Sequence, residues 1–250
     1  MSAYDALAPH YRAYSNTKCG YLRAVDEVVL SRLAGGARSL LDVGAGDGAR
    51  AHRIARACRV ARLVLAEPSP VMAEYCRGVR GAEVWQTAAE ELPESARKFD
   101  AVTCLWNVLG HIETEAKRLA ALLRMRSLLE EGGQIFLDVN NRYNARAYGL
   151  VKTAARALSD LVSPSETNGD VTFAWEVEGR QIRASGHVFT PSEMESLLSR
   201  AGLRVRERHV IDYATGERRR FFFQGQLLYV LGDASSADSA PSSPRLDPVE

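Results

Sequence analysis

Ser39-Leu40-Leu41-Asp42-Val43-Gly44-Ala45-Gly46-Asp47-Gly48 is the stretch on which the fold turns. A short apolar run that stops at Gly-x-Gly describes a buried strand feeding a tight turn. A Cβ at Gly44 or Gly46 would occupy the space beside the turn or forbid its dihedrals, and the helix that follows contributes unpaired N–H groups. Working outward, Tyr21 to Leu33 places Leu22, Val25, Val28, Val29 and Leu33 at helical spacing, and Gly35-Gly36 stops that helix. Downstream, Ala49 to Cys58 suits a helix, Leu63 to Ala66 a second strand, and Ser69-Pro70 the N-cap and first turn of another helix. Ala82 to Trp85, Phe99 to Leu105 and Gln134 to Val139 continue as strands, with a helix from Thr114 to Leu129 before the last of them. Strand and helix alternate, so a parallel sheet follows.

Beyond strand five the alternation loosens. Asn140 to Asp170 is expected to form an inserted lid with a helix at Ala145 to Leu161, and Val171 to Phe189 a β-hairpin turning at Glu178-Gly179-Arg180. A helix at Pro191 to Ala201, with Thr190 as N-cap, precedes two β segments, Leu203 to Tyr213 and Gln226 to Leu231, joined by a polar connection at Ala214 to Arg220. Asp233 to Glu250 is rich in Ser, Ala, Asp and Pro and is expected to be a disordered tail. The 250 residues carry 32 basic and 31 acidic side chains, a net charge of +1, so no net field draws the protein to nucleic acid or anionic lipid. Arg218-Arg219-Arg220 lacks interleaved aromatics and is weak support for RNA binding; Phe221-Phe222-Phe223 is expected to fill core or to cover a sheet edge. Cys19, Cys58, Cys76 and Cys104 form no C-x-x-C pair, and no metal site is expected. No stretch approaches the about 18 apolar residues of a membrane span, and no secretory leader is spelled out, so a cytoplasmic location is expected.

Gly44-x-Gly46-x-x-Ala49 also fits a dinucleotide-binding turn, and the flanks must decide. A helical segment precedes the first strand, and Asp42 sits near the strand end that faces the ligand. A carboxylate there would repel a pyrophosphate and attract an ammonium group. Glu67, at the end of the second strand, can accept from both hydroxyls of a ribose. An adenosine joined to an amino acid, without phosphate, satisfies both.

Leu41 to Gly48 resembles motif I of the class I, Rossmann-like, S-adenosylmethionine-dependent methyltransferases. Leu65-Ala66-Glu67-Pro68-Ser69 is similar to the second motif, Ala89-Glu90-Glu91-Leu92-Pro93 to the adenine-side loop, and Phe99 to Leu105 to the fourth strand. Leu128-Leu129-Glu130-Glu131-Gly132-Gly133 resembles the turn before strand five, with Glu131 where proline is usual. The resemblance implies an α/β fold: a seven-stranded, mostly parallel, doubly wound sheet with an antiparallel last strand and a helical and hairpin insertion after strand five. Residues 1–232 would form the domain, with N-terminal helices in 1–36 and the insertion in 140–190, and 233–250 the tail. It also implies roles. Gly44 and Gly46 would pass under the methionine part, Asp42 would hold its ammonium directly or through water, and the Leu105 carbonyl would meet the same group. Glu67 would clamp the ribose, Ser69 and Met72 would border adenine, Ala89 and Glu90 would lie near its edge, and Tyr11 would cover the cofactor. Ala88 stands where many members place an acid for the adenine amino group, which shifts that recognition to Glu90, backbone groups or stacking.

Methyl transfer from a sulfonium is an in-line displacement in which alignment supplies much of the acceleration, and a base is needed only for a protonated nucleophile. Trp106-Asn107-Val108-Leu109-Gly110-His111 follows strand four, so His111 is the first candidate base and Asn107 a candidate for positioning the acceptor. His187, at the end of the hairpin, is the second candidate base. Asn140, Arg142 and Tyr143 leave strand five on the ligand side and suit a polar small-molecule acceptor, methylated on O or N. The expected partners are that acceptor and, at most, a second copy of the chain, with no nucleic acid and no membrane. Two rival readings are an NAD(P)-dependent oxidoreductase and an S-adenosylmethionine-binding regulatory protein without transfer activity.

Overall fold

The computed structural model describes residues 3–95, 97–177 and 180–235. After α1 (Ala3–Leu7), α2 (Tyr11–Asn16) and α3 (Cys19–Leu33), the chain enters β1 (Ser39–Val43), α4 (Ala49–Ala57), β2 (Arg62–Ala66), α5 (Pro70–Arg77) and β3 (Ala82–Trp85). It continues through β4 (Phe99–Cys104), α6 (Glu115–Ser127) and β5 (Leu129–Val139). The insertion comprises α7 (Ala145–Tyr148), α8 (Leu150–Val162), β6 (Asp170–Val177) and β7 (Arg180–His187). Last come α9 (Pro191–Arg200), β8 (Leu203–Ile211), β9 (Arg218–Arg219) and β10 (Gln226–Asp233).

The main sheet has the order β3-β2-β1-β4-β5-β10-β8-β9. β1 to β5 pair in parallel, and β10 runs antiparallel between β5 and β8. Alternation within each strand sorts side chains to two cores. Leu41 and Val43 of β1 and Val64 of β2 pack with Leu122 and Met125 of α6 and Leu198 of α9. Leu40 and Leu63, one step out of phase, pack with Val25 and Val29 of α3 and Ile54 of α4 on the other face. Helices therefore cover both faces, as expected for a parallel sheet whose strands are apolar throughout. Ser69 caps α5 by accepting from the Met72 N–H at 3.2 Å. Thr190 and Glu193 form a reciprocal capping box on α9, worth about 1 kcal/mol.

Four expectations are corrected. The sheet has eight strands, because two residues of the polar connection, Arg218 and Arg219, pair with Ile211 and Val210. Their side chains give no periodic signal; Asp212, which accepts from the Arg219 guanidinium at 3.4 Å, ties the segment down. The expected helix at Ala145 to Leu161 is two helices, broken at Gly149, whose φ of +84° lies outside the range of a helix. Asp233 belongs to β10, its carboxylate accepting from Arg126 at 3.0 Å twice; residues 236–250 of the expected tail lie outside the described residues. Phe221, Phe222 and Phe223 are exposed and fill no core. The hairpin is present as a separate two-stranded sheet, Asp170 opposite His187, and residues 178–179 of its expected turn are outside the described residues.

Candidate active site

The carboxyl ends of β1, β2, β4 and β5 open on one cavity of about 910 Å³, closed from above by α1, α2, α8 and the hairpin. This is where an open parallel sheet binds its ligands. The turn after β1 is anchored from β2: the Gly44 and Ala45 N–H groups donate to the Ala66 carbonyl at 2.8 and 3.1 Å. Gly44 and Gly46 have φ of +71° and +58°. A Cβ on Gly46 would lie 2.6 Å from the Tyr11 hydroxyl, and one on Gly44 would lie 2.5 Å from Val108. Both glycines thus permit the close approach of a cavity wall as well as the turn itself.

Glu67 extends from the end of β2 into the cavity. One of its oxygens accepts from the Gly46 N–H at 2.8 Å and the other from the Ser69 N–H at 3.0 Å. A carboxylate offers about four acceptor positions, so each oxygen keeps one for a ligand hydroxyl. Burial pushes its pKa up to about 7, against the pull of those two N–H donors. Ala88, Ala89, Glu90, Tyr11 and Leu105 line the same cavity. Three expected cofactor residues do not line the cavity. Asp42 lies beneath the turn and accepts from the Thr103 hydroxyl at 2.6 Å; burial raises its pKa to about 6. Ser69 spends its hydroxyl on capping α5 and on donating to Asp5 at 2.6 Å, and Met72 is fully buried core.

Beyond β4 the opposite half begins. Trp106 and Asn107 have φ of +67° and +60°, a conformation costing non-glycine residues of order 1–3 kcal/mol each. Asp138 of β5 holds the bend: its carboxylate accepts from the Trp106 N–H and, at 2.5 Å, from the Tyr21 hydroxyl. The Asn107 side-chain carbonyl then accepts from the Asn140 N–H at 2.8 Å, joining the loops that leave β4 and β5. His111 faces the cavity with its ring edge-on to Tyr4, centroids 5.2 Å apart, and 6.0 Å from Phe173. Burial lowers its pKa, with a hydrogen bond to the Ser185 backbone opposing, so the imidazole is neutral at neutral pH and able to take a proton. Tyr14 stacks on Trp106 with planes 18° apart, and Trp175 lies 5.2 Å from Tyr4.

The other expected acceptor residues are engaged elsewhere. Both ring nitrogens of the buried His187 are taken, Nδ1 by Asp170 at 2.7 Å and Nε2 by Glu193 at 2.8 Å. It borders the cavity, as expected, but both nitrogens are held by carboxylates that tie the hairpin to α9, so neither is free to act as the expected base. Arg142 forms a two-pronged pair with Asp160 of α8 at 2.7 and 3.0 Å, and the Tyr143 hydroxyl donates to the same carboxylate at 2.9 Å. Neither lines the cavity; both fasten the lid helix to the end of β5. Asn107, His111 and Asn140 do line it.

Residues 40–133 match the family model for a methyltransferase domain. Over that stretch the chain is similar to methyltransferases. No curated protein matches it. Similar solved structures include the methyltransferase CcbJ from Streptomyces caelestis, 17% identical over 87% of this chain and 90% of that one, with a TM-score of 0.64. Another is S-adenosylmethionine-bound CalS10, an amino pentose methyltransferase from Micromonospora echinaspora, 19% identical over 88% and 95% with a TM-score of 0.59. The sugar N-methyltransferase KedS8 from a Streptoalloteichus species is 20% identical over 89% and 91%, with a TM-score of 0.57. At these identities the likeness speaks for the fold.

Around the cavity, the sequence-based expectations leave out Asp138, which holds the bend after β4, and the lining residues Tyr148, Lys152, Arg156 and Trp175. Asp138 carried a usable signal: it stands one residue before the end of an apolar strand, as Asp42 does in β1. Among the described residues no helix is long and apolar enough to cross a membrane.

Proposed function

We propose that this protein transfers a methyl group from S-adenosylmethionine to an oxygen or nitrogen of a small molecule. The observation that carries the proposal is Glu67, a buried carboxylate with spare acceptor capacity, aimed into a cavity whose floor is the Gly44-x-Gly46 turn. That pairing suits a ribose beside a backbone with no side chain in the way. The Leu105 carbonyl at the end of β4 and the Asp42 carboxylate below the turn supply negative charge on the side where an ammonium would rest. Tyr11 would cover the cofactor from α2, and Ala89 and Glu90 would border its base. When bound, S-adenosylmethionine supplies a methyl group on a positively charged sulfur.

The residues of the other half then have three tasks. Trp106, Tyr4 and Trp175 exclude water and orient the acceptor; Asn107 and Asn140 fix the two loops on which the acceptor rests; the neutral imidazole of His111 receives the proton of an acceptor that carries one. Placement near the attack line contributes most where the acceptor is already deprotonated, and His111 then acts by position. The neighbouring amino-sugar and sugar N-methyltransferase structures have the same architecture, and an acceptor of small-molecule size suits a cavity of about 910 Å³ bordered by α8 and the hairpin. Incubation with methyl-labelled S-adenosylmethionine and fractionated small metabolites, read by mass spectrometry, tests the proposal. It expects a labelled small product whose formation requires His111 or the loops beside it. Cofactor binding without any labelled product would leave a binding protein and overturn the transfer reading.

A further inference from the structure

The lid helix α8 carries two cations into the cavity wall, Lys152 and Arg156, one helical turn apart. Like charges at this spacing repel each other on a helix, so the pair weakens α8 unless something negative meets it. Other basic groups around the acceptor half are already matched: Arg142 to Asp160, Arg146 to Asp212, and Lys117 to Glu113. Asp160, one turn beyond Arg156 and the partner its spacing would favour, is filled instead by Arg142, Tyr143 and Asn168. Arg156 donates to the Arg142 backbone carbonyl at 3.1 Å, lies 4.3 Å over the Tyr148 ring and hydrogen-bonds the Tyr148 side chain. Among the described residues neither Lys152 nor Arg156 has a carboxylate partner. The acids that do line the cavity, Glu67, Glu90 and Glu113, are tied to backbone N–H groups or lie beside Lys117.

From this we infer that the methyl acceptor is a planar, largely apolar molecule bearing an anionic group, with the anion held by Lys152 and Arg156 and the body against Trp106, Trp175 and Tyr4. The inference rests on the methyltransferase reading above and narrows its acceptor. Stacked and edge-on rings accept a flat apolar body. A guanidinium braced on Tyr148 is already oriented for a carboxylate or phosphate, and the flexible ammonium of Lys152 adds a second positive charge. An ammonium-bearing acceptor in the same position would face two unmatched cations.

The test uses the full chain saturated with S-adenosylhomocysteine, with 4-hydroxybenzoate, its neutral amide 4-hydroxybenzamide and the cationic 4-hydroxybenzylamine as probes, read by quenching of the cavity tryptophans. The benzoate is expected to bind at least about tenfold more tightly than the amide. Lys152→Met should lose much of that preference, and adding Arg156→Met should abolish it, with the amide's affinity retained. Lys152→Glu should turn the preference toward the amine, a result that simple damage to the lid would not give. Equal affinity for benzoate and amide, no benzoate binding to the loaded protein, or a preference that survives in the double variant would overturn the inference. Failure of S-adenosylhomocysteine itself to bind, measured beforehand by calorimetry, would overturn the proposed function and this inference with it.

Discussion

The two halves of the cavity are built in opposite ways. On the cofactor side, backbone does most of the work: two glycines at positive φ, N–H groups that hold Glu67, and the Ala66 carbonyl that anchors the turn all come from two consecutive strand ends. On the acceptor side, side chains do it. Tyr4 and Tyr14 come from the N-terminal helices, Trp106 and His111 from the β4 loop, Phe173 and Trp175 from the hairpin, and Lys152 and Arg156 from the lid. A wall of backbone tolerates little variation in what it binds, whereas a wall of side chains from distant segments can be rebuilt piece by piece. The contrast explains how one sheet can keep its cofactor chemistry while the acceptor changes.

Substitutions in each half should therefore fail differently. The largest effect is expected from His111→Ala: with a protonated acceptor, kcat should fall by about 10²-fold or more with cofactor affinity unchanged, as steady-state rates and calorimetry would report. An unaltered kcat would remove the base and leave His111 a packing residue. Next comes Glu67→Ala, which should weaken binding of S-adenosylhomocysteine by about tenfold or more, since a charge-assisted pair of hydrogen bonds is lost. Acceptor binding to whatever fraction remains loaded should be unaffected; a shift in both would mean that the halves are not separable.

A smaller, pH-dependent effect follows from burial. Glu67 has a pKa of about 7 and Asp42 of about 6, both above their ordinary values. The ionised Glu67 is the form that accepts ribose hydroxyls, so cofactor affinity should decline as the pH drops below 7, by at most about tenfold per unit for one group. Titrations between pH 8 and pH 5.5 would show it, and a flat profile would contradict it. In the unloaded protein the sign is reversed. The folded state keeps these protons where the unfolded chain has lost them, so between about pH 4 and pH 7 the two groups make the fold less stable as the pH rises. The smallest effect belongs to the lid fastening. Arg142→Met should raise the acceptor KM a few-fold by loosening α8 and leave cofactor affinity unchanged, because the Arg142 guanidinium pairs with Asp160 of α8.

What could be read in the sequence follows the same division. Gly44, Gly46 and Glu67 were legible because each acts from the end of a strand whose apolar pattern locates it, and the turn chemistry is local. Ser69 and Met72 were misplaced because the start of α5 packs under the wall and not along it; Ser69 also serves as a cap, a role its position before Pro70 had signalled. Arg142 and Tyr143 were read as acceptor ligands from their place after β5, but the partner that turns them away, Asp160, lies on a helix whose facing the sequence does not show. The engagement of His187 is hidden for the same reason: Asp170 and Glu193 converge on it only once the hairpin and α9 are packed. Gly149 shows how one residue can matter, since the apolar pattern of the lid runs on through the break that its φ imposes. The two-residue β9 was too short for any period to register.

The glycine turn and Glu67 are proposed to form a cofactor half that works independently of the acceptor half. Calorimetric titration of the full chain with S-adenosylhomocysteine at pH 8, in the wild type, Glu67→Ala and His111→Ala, addresses it most directly. One binding site is expected in the wild type, the same affinity in His111→Ala and an affinity lower by about tenfold or more in Glu67→Ala. No binding to the wild type, or equal affinity with and without the Glu67 carboxylate, would contradict it.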